Sequence, residues 1–100
     1  MNFRFNNKEL ERFFTDDKFY WCFSLDIKRA FVKKMLGIRA ALNINDLRRM
    51  KGWRLEKMTG DREGQFSIRL NDQFRLFFVP EKIGTKDCLV ILEIGDPHKG

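Results

Sequence analysis

The sequence predicts one domain of the α+β class, residues 1–100, with N-terminal helices packed on a twisted, mainly antiparallel β-sheet. In the first half, apolar residues recur every three or four positions, as on one face of a helix. From Trp53 onward the period falls to about two and aromatic and β-branched residues increase, as in strands. A chain of 100 residues that is 43% hydrophobic has enough apolar surface for a single core.

The first half is predicted to hold a strand and two helices. Phe3 and Phe5 alternate with polar residues, which favours a short strand over residues 1–6. Asn7 is a typical N-cap for a helix over residues 8–14, and Ser24 for a longer helix that ends near Leu42. The longer helix is expected to bury Ile27, Phe31, Met35, Ile38 and Leu42, and to expose Lys28, Arg29, Lys33 and Arg39.

The second half is predicted to be mostly sheet. A helical turn that begins at Asn45 and Asp46 comes before it and ends ahead of Gly52. The loops TGDREG, ND and PEKIGTK then separate four strands. These strands are predicted at residues 53–58, 65–70, 73–79 and 87–94.

The turn at Asn71 and Asp72 determines which side chains of the central hairpin share a face. A two-residue loop would pair residue 68 with Arg75 and mix apolar with charged positions. A three-residue loop pairs 68 with 74 and gives one apolar face. That face holds Phe66, Ile68, Phe74, Leu76 and Phe78, and the open face holds Ser67, Arg69, Gln73, Arg75 and Phe77. Two arginines beside an aromatic ring can bind phosphate and stack on a base, or pair with surface acids.

Positive charge is concentrated in one part of the chain. The net charge is +6, and residues 28–57 hold ten basic residues against only Asp46 and Glu56. Such a segment favours a polyanionic partner, although a solvated helix face is the alternative.

Several classes of protein are excluded by composition. No apolar run has the ~20 residues of a membrane helix, and the charged N-terminus lacks the apolar stretch of a signal peptide. A cytoplasmic protein without membrane association is therefore expected. Two distant cysteines and one histidine are too few for a metal site, and no nucleotide-binding motif is present, so no cofactor is predicted.

The run from Arg54 to Leu76 resembles the core signature of HigB-type toxins of the RelE/ParE toxin–antitoxin superfamily. It contains GDREGQ at residues 60–65, SIR at 67–69 and NDQFR at 71–75. The likeness continues through the last strand to Asp96-x-His98, and so covers nearly the whole chain. It implies a RelE/ParE-like fold and a ribosome-dependent endoribonuclease that cuts mRNA in the ribosomal A site. The implied partners are the ribosome, its mRNA and a HigA-type helix-turn-helix antitoxin.

The same resemblance implies roles for individual residues. Arg75 matches the arginine that acts on the scissile phosphate, and Arg62 and Arg69 match further basic positions. Asp96 and His98 match the ends of a terminal Asp-Tyr-His, in which Pro97 here replaces the tyrosine. Thr59 stands where a lysine is common, and Glu56 where some relatives have histidine. We also expect Lys57 to contact RNA, and the stacking role of the absent tyrosine either to pass to Phe77 or another aromatic residue or to be lost.

Metal-free RNA cleavage needs a base for the 2′-hydroxyl, cations for the phosphate and an acid for the leaving oxygen. Arg75, with Arg69 or Arg62, can supply the cations. Glu56 or Asp96 is the candidate base and His98 the candidate acid. Two alternatives are a non-enzymatic inhibitor on the same scaffold, either ParE-like and directed at gyrase or a weakened HigB relative, and a basic module that only binds nucleic acid.

Overall fold

The computed structural model describes residues 1–97 and confirms the α+β class. Strand β1 (Asn2–Phe5) precedes three helices: α1 (Lys8–Thr15), α2 (Leu25–Ala40) and α3 (Ile44–Arg49). Strands β2 (Glu56–Lys57), β3 (Phe66–Arg69), β4 (Arg75–Ile83) and β5 (Lys86–Gly95) follow, with a 3₁₀ turn at Gly60–Arg62. The sheet order is β1-β5-β4-β3-β2, and only the β1–β5 pair is parallel.

The helix starts agree with the predicted caps in two of three cases. Asn7 Oδ1 accepts a hydrogen bond from the Leu10 amide at 2.9 Å, and Ser24 Oγ accepts one from the Ile27 amide at 3.3 Å. The third helix begins earlier than predicted, because Asn43 rather than Asn45 supplies the capping oxygen.

The predicted faces of α2 are right except at two positions. Phe31, Met35 and Ile38 are fully buried, but the helix ends at Ala40, so Leu42 lies outside it and is 83% exposed. Lys28 was predicted to be exposed and is only 6% exposed. Its Nζ donates to the backbone oxygens of Phe13, Asp16 and Phe19 at 2.7–2.9 Å. Lys28 therefore anchors the end of α1 and the following loop to α2, and takes no part in a basic surface.

The predicted strands differ from the observed ones mainly at their ends. Strand β4 continues through Pro80 to Ile83, where a loop was predicted, and turns at Gly84. Proline has no amide hydrogen to donate to a neighbouring strand. It is tolerated at position 80 because the pairing of β3 with β4 ends at Phe78, so β3 offers no acceptor beside Pro80. Strand β2 is shorter than predicted, because the chain at Trp53 turns into the core before pairing begins.

The predicted register of the β3–β4 hairpin is wrong by two residues. Ile68 pairs with Leu76 and Phe66 with Phe78, so five residues, 70–74, form the loop. Asn71 Oδ1 accepts from the amides of Gln73 and Phe74, at 2.9 and 2.6 Å, and this widens the turn. A shift of two keeps the side-chain alternation, so the predicted division of the hairpin into an apolar and an open face is retained.

The helices and the sheet share one core. Ile68, Leu76 and Phe78 of the hairpin are fully buried in the same cluster as Phe13 and Phe31 of the helices. Within residues 1–97 no helix combines the length and apolar character needed to cross a bilayer. The helices thus cover one face of the sheet, and side chains of the other face form the site described below.

Replacing Lys28 tests its anchoring role. We expect Lys28→Met to lower the free energy of unfolding by about 2–4 kcal/mol, because three backbone oxygens lose their charged donor. Lys33→Met, an exposed neighbour on α2, is the matched control and should change stability by less than about 0.5 kcal/mol. Urea unfolding followed by circular dichroism measures both. Equal effects of the two variants would contradict the assignment.

Candidate functional site

An open cleft of about 730 Å³ lies on the face of the sheet that the helices leave uncovered. Its walls come from the segment before β2, from β2 and β3, from the β3–β4 loop and from the start of β4. The lining residues are Gly52, Arg54, Glu56, Met58, Arg69, Asn71, Asp72, Gln73, Arg75 and Pro97. Three arginines among ten residues make this cleft suited to a phosphate-bearing ligand.

Arg75 is the most constrained cation of the cleft. Its Nε donates to Ser67 Oγ at 2.7 Å, and its Nη2 donates to the backbone oxygens of Ser67, at 3.2 Å, and of Arg54. The Ser67 hydroxyl donates in turn to the sulfur of Met58 at 3.3 Å, which leaves its oxygen lone pairs to the guanidinium. Arg75 is thus oriented by neutral acceptors and keeps its positive charge for a ligand.

The backbone before β2 brings the Arg54 oxygen to Arg75. Trp53 is buried against Gly37 of α2, where a Cβ atom would lie 2.6 Å from the indole ring. The Trp53 backbone oxygen accepts from the Arg69 amide at 2.8 Å. Arg54 then adopts a left-handed conformation, with φ of +49°, which is uncommon for a non-glycine residue. Close packing of α2 on Trp53 therefore holds this wall of the cleft.

Burial and charge act against each other at Arg75. Burial is the largest influence and lowers the pKa of the guanidinium, whereas the Glu56 carboxylate raises that pKa in part. Glu56 Oε2 lies 3.9 Å from Arg75 Nη2, and its side chain is mostly exposed. Arg54 and Arg69 lower the pKa of Arg75 further. Since arginine stays protonated in proteins, this surplus of positive charge favours binding of an anion.

Two other predicted residues lie around the same cleft. Arg69 pairs with the exposed Asp72 at 2.5 Å, across the β3–β4 loop. Asp96 follows the end of β5, and its Oδ2 accepts from Gln73 Nε2 at 3.3 Å. Pro97 lies beside it in the cleft wall. The structure therefore brings Arg75, Glu56, Arg69 and Asp96 into one region. His98 lies outside the described residues.

Arg62 packs on the ring of Phe77 on the same face of the sheet. The Arg62 guanidinium carbon lies 3.7 Å from the centre of the Phe77 ring, and the group donates to Gln65, at 2.9 Å, and to Glu93. Phe77 is fully buried, so its predicted exposure for base stacking is wrong. The alternation of side chains along β4 indicates which face of the sheet Phe77 occupies. It does not indicate that Arg62, which is distant in the sequence, covers the ring.

Lys57 does not line the cleft. It pairs with Phe66, whereas Glu56 pairs with Ser67, so the alternation of β2 puts Lys57 on the face opposite Glu56. Its proposed contact with RNA would require a ligand that reaches around this edge strand.

Sequence reasoning missed two contributors to the site. Ser67 was placed on the open face but not identified as the acceptor for Arg75, although neighbouring strand positions on one face are the signal for such a pair. Arg54 contributes its backbone oxygen, which no side-chain pattern reveals. Within the described 97 residues, no cluster of three or more histidine, cysteine or acidic side chains is arranged to hold a metal ion.

Residues 3–93 match the HigB-like toxin family, described as RelE-like toxin of type II toxin-antitoxin system HigB. The chain belongs to this family. It is also 35% identical to Toxin HigB-1 of Vibrio cholerae serotype O1 over 99 residues, which are 99% of each protein. This HigB-type protein is therefore a toxin of a type II toxin–antitoxin system, and an antitoxin is its partner.

One of two similar solved structures supports the fold. A YoeB/ParE toxin from Agrobacterium tumefaciens has a TM-score of 0.56 and 17% identity, over 96% of this chain and 98% of that one. A YoeB dimer from Staphylococcus aureus has a TM-score of 0.49 and 18% identity, over 95% and 94% of the respective chains. The Agrobacterium structure shows that the HigB-type chain has the RelE/ParE-like fold predicted from its signature.

The contact between Ser67 and Arg75 can be measured by a double-mutant cycle. We expect Ser67→Ala to cost about 1–3 kcal/mol of unfolding free energy, because a partly buried guanidinium loses an acceptor. In an Arg75→Met background the same change should cost at least about 1 kcal/mol less, since no cation then needs the hydroxyl. Additive effects of the two changes in urea unfolding would show that Ser67 does not hold Arg75.

Proposed function

We propose that this toxin is a ribosome-dependent endoribonuclease that cleaves mRNA in the ribosomal A site and is neutralised by a HigA-type helix-turn-helix antitoxin. HigB-type toxins are in general mRNA endoribonucleases, and the family match and the Vibrio cholerae relative support an enzyme of that kind. Because its substrate is mRNA on ribosomes, the proposal assigns the protein to the cytoplasm.

The observation that carries the proposal is the oriented guanidinium of Arg75 in an open, cationic cleft. Neutral oxygens fix Arg75 from within the protein, and its Nη1 makes no hydrogen bond within residues 1–97. An RNA phosphate is the anion that this arrangement suits. A donor that is already oriented stabilises charge developing on the phosphate without a reorganisation cost.

The proposed mechanism assigns the remaining roles to residues around Arg75. Glu56 or Asp96 removes the proton of the 2′-hydroxyl, Arg75 stabilises the charged phosphate, and His98 protonates the leaving 5′-oxygen. Glu56 is favoured by its carboxylate oxygen 3.9 Å from Arg75, which brings base and cation to the same phosphate. Asp96 is favoured by its bond to Gln73 at the rim of the cleft.

The other arginines differ in whether they line the cleft around Arg75. Arg69 and Arg54 line the cleft, and we propose that they contact the phosphates next to the scissile one. Arg62 is engaged with Glu93 and Phe77, so its proposed contribution is a longer-range positive potential. An open cleft fits a substrate that the ribosome holds in position, since correct positioning of the reacting groups can account for much of a rate enhancement.

Substitution of Arg75 tests the proposal. We expect Arg75→Ala to lower the rate of mRNA cleavage on purified ribosomes at least ~100-fold, because the oriented donor is lost. Arg75→Lys should recover only a small part, since lysine keeps the charge but not the planar fork. Arg4→Ala is the matched control, because the exposed Arg4 pairs with the half-buried Glu81 and lies on β1, the edge of the sheet opposite β2.

Each outcome of that assay is informative when thermal unfolding shows that the variants fold. Equal cleavage by the Arg75→Ala and Arg4→Ala variants would exclude the role of Arg75. Equal cleavage of free and ribosome-bound mRNA would exclude ribosome dependence. Growth arrest without any cleavage would favour a non-enzymatic inhibitor on the same scaffold.

A further inference from the structure

Helix α2 has a second, partly exposed apolar stripe beside the side that it buries in the core. Its apolar residues are Leu25, Val32 and Leu36, and Arg29 stands between the first two, so the four positions follow one another at steps of four, three and four. This is the spacing of the seam along which two helices pack in a coiled coil. We call these four residues the outer seam.

Leu25, Arg29 and Leu36 of the outer seam are exposed, and Val32 is half-buried against the core. Leu25 is 43% exposed and Leu36 49% exposed, although leucines of a folded helix are usually covered. The seam borders a shallow groove of about 420 Å³, whose other lining residues are Asp17, Lys28 and Lys33. The inner side of α2 supplies the fully buried Phe31, Met35 and Ile38, whereas the two leucines of the seam remain uncovered.

The charges along the outer seam indicate the chemistry of its partner. Arg29 and Lys33 are exposed beside the groove, and neither forms an ion pair within residues 1–97. The Nζ group of Lys28 points inward to backbone oxygens and is not available. Asp17 is the one acidic residue that lines the groove. A helix with apolar residues at seam spacing and acidic residues on its flanks complements this surface.

We propose that the outer seam is the docking site for an acidic amphipathic helix of the antitoxin. The proposal relies on the proposed function only for the identity of the partner, since a type II toxin has an antitoxin. The seam lies on the helical side of the domain, whereas the arginine cleft lies on the opposite face of the sheet. Docking at the seam and binding of RNA in the cleft therefore use separate surfaces.

Two pairs of matched variants test the docking site. Leu36→Gln removes an apolar seam residue, and Leu42→Gln is its control because Leu42 is 83% exposed and lies outside the seam. Lys33→Glu reverses a flanking charge, and Lys82→Glu does the same at an exposed position of β4. All four positions are exposed, so the variants should keep the fold, and circular dichroism verifies this.

The probe is the purified antitoxin of the same toxin–antitoxin pair, titrated calorimetrically into the full-length toxin. We expect Leu36→Gln and Lys33→Glu each to raise Kd about tenfold or more, and the two controls to change it less than about twofold. Raising the salt concentration should weaken binding to the wild-type toxin more than binding to the Lys33→Glu variant.

Three results would overturn the proposal. The first is that seam variants bind the antitoxin as tightly as their controls. The second is that Leu36→Gln dissociates a toxin homodimer in analytical ultracentrifugation without affecting antitoxin binding, which would make a second copy the occupant. The third is that the affinity of the Lys33→Glu variant rises. Since the titration involves no RNA, a failure of mRNA cleavage would leave its result unchanged, so the two proposals fail independently.

Discussion

The two-residue period of strands β3 and β4 is the constraint on which both the core and the candidate site depend. Ile68 and Leu76 are fully buried against the helices, so the intervening residues, including Arg69 and Arg75, must lie on the other face. A slip of one residue would drive these cations into the core and bring apolar side chains into water. The hydrophobic effect that stabilises the sheet therefore also holds the arginines in the cleft.

Lys28 and Arg75 both donate hydrogen bonds to neutral oxygens of the protein, but they have different roles. Lys28 donates to three backbone oxygens and is almost fully buried, so its donors are used up in joining α1 to α2. Arg75 also donates to neutral oxygens, but its planar group has more donors than these partners need. Lys28, whose donors all have partners, has a structural role. Arg75, which has donors left for a ligand, has the proposed catalytic one.

Much of this arrangement could be predicted from local pattern. The alternation of the hairpin indicated correctly which residues share a face, and Asn7 and Ser24 act as the predicted caps. The loop length could not be predicted, because Asn71 accepts two amide bonds within the turn and adds residues to it. The exposure of Phe77 could not be predicted either, since Arg62 reaches its ring from a separate loop.

The sequence by itself determined the fold class, the apolar face of the hairpin and the family, because these depend on periodicity and on a contiguous signature. Only the tertiary structure decided what each cation does. Lys28 and Arg29 are neighbours in the chain, yet one is buried among backbone oxygens and the other is exposed on the outer seam. The Arg54 oxygen meets Arg75 because Trp53 packs on Gly37. Contacts between segments distant in the chain have no local pattern, so folding alone establishes them.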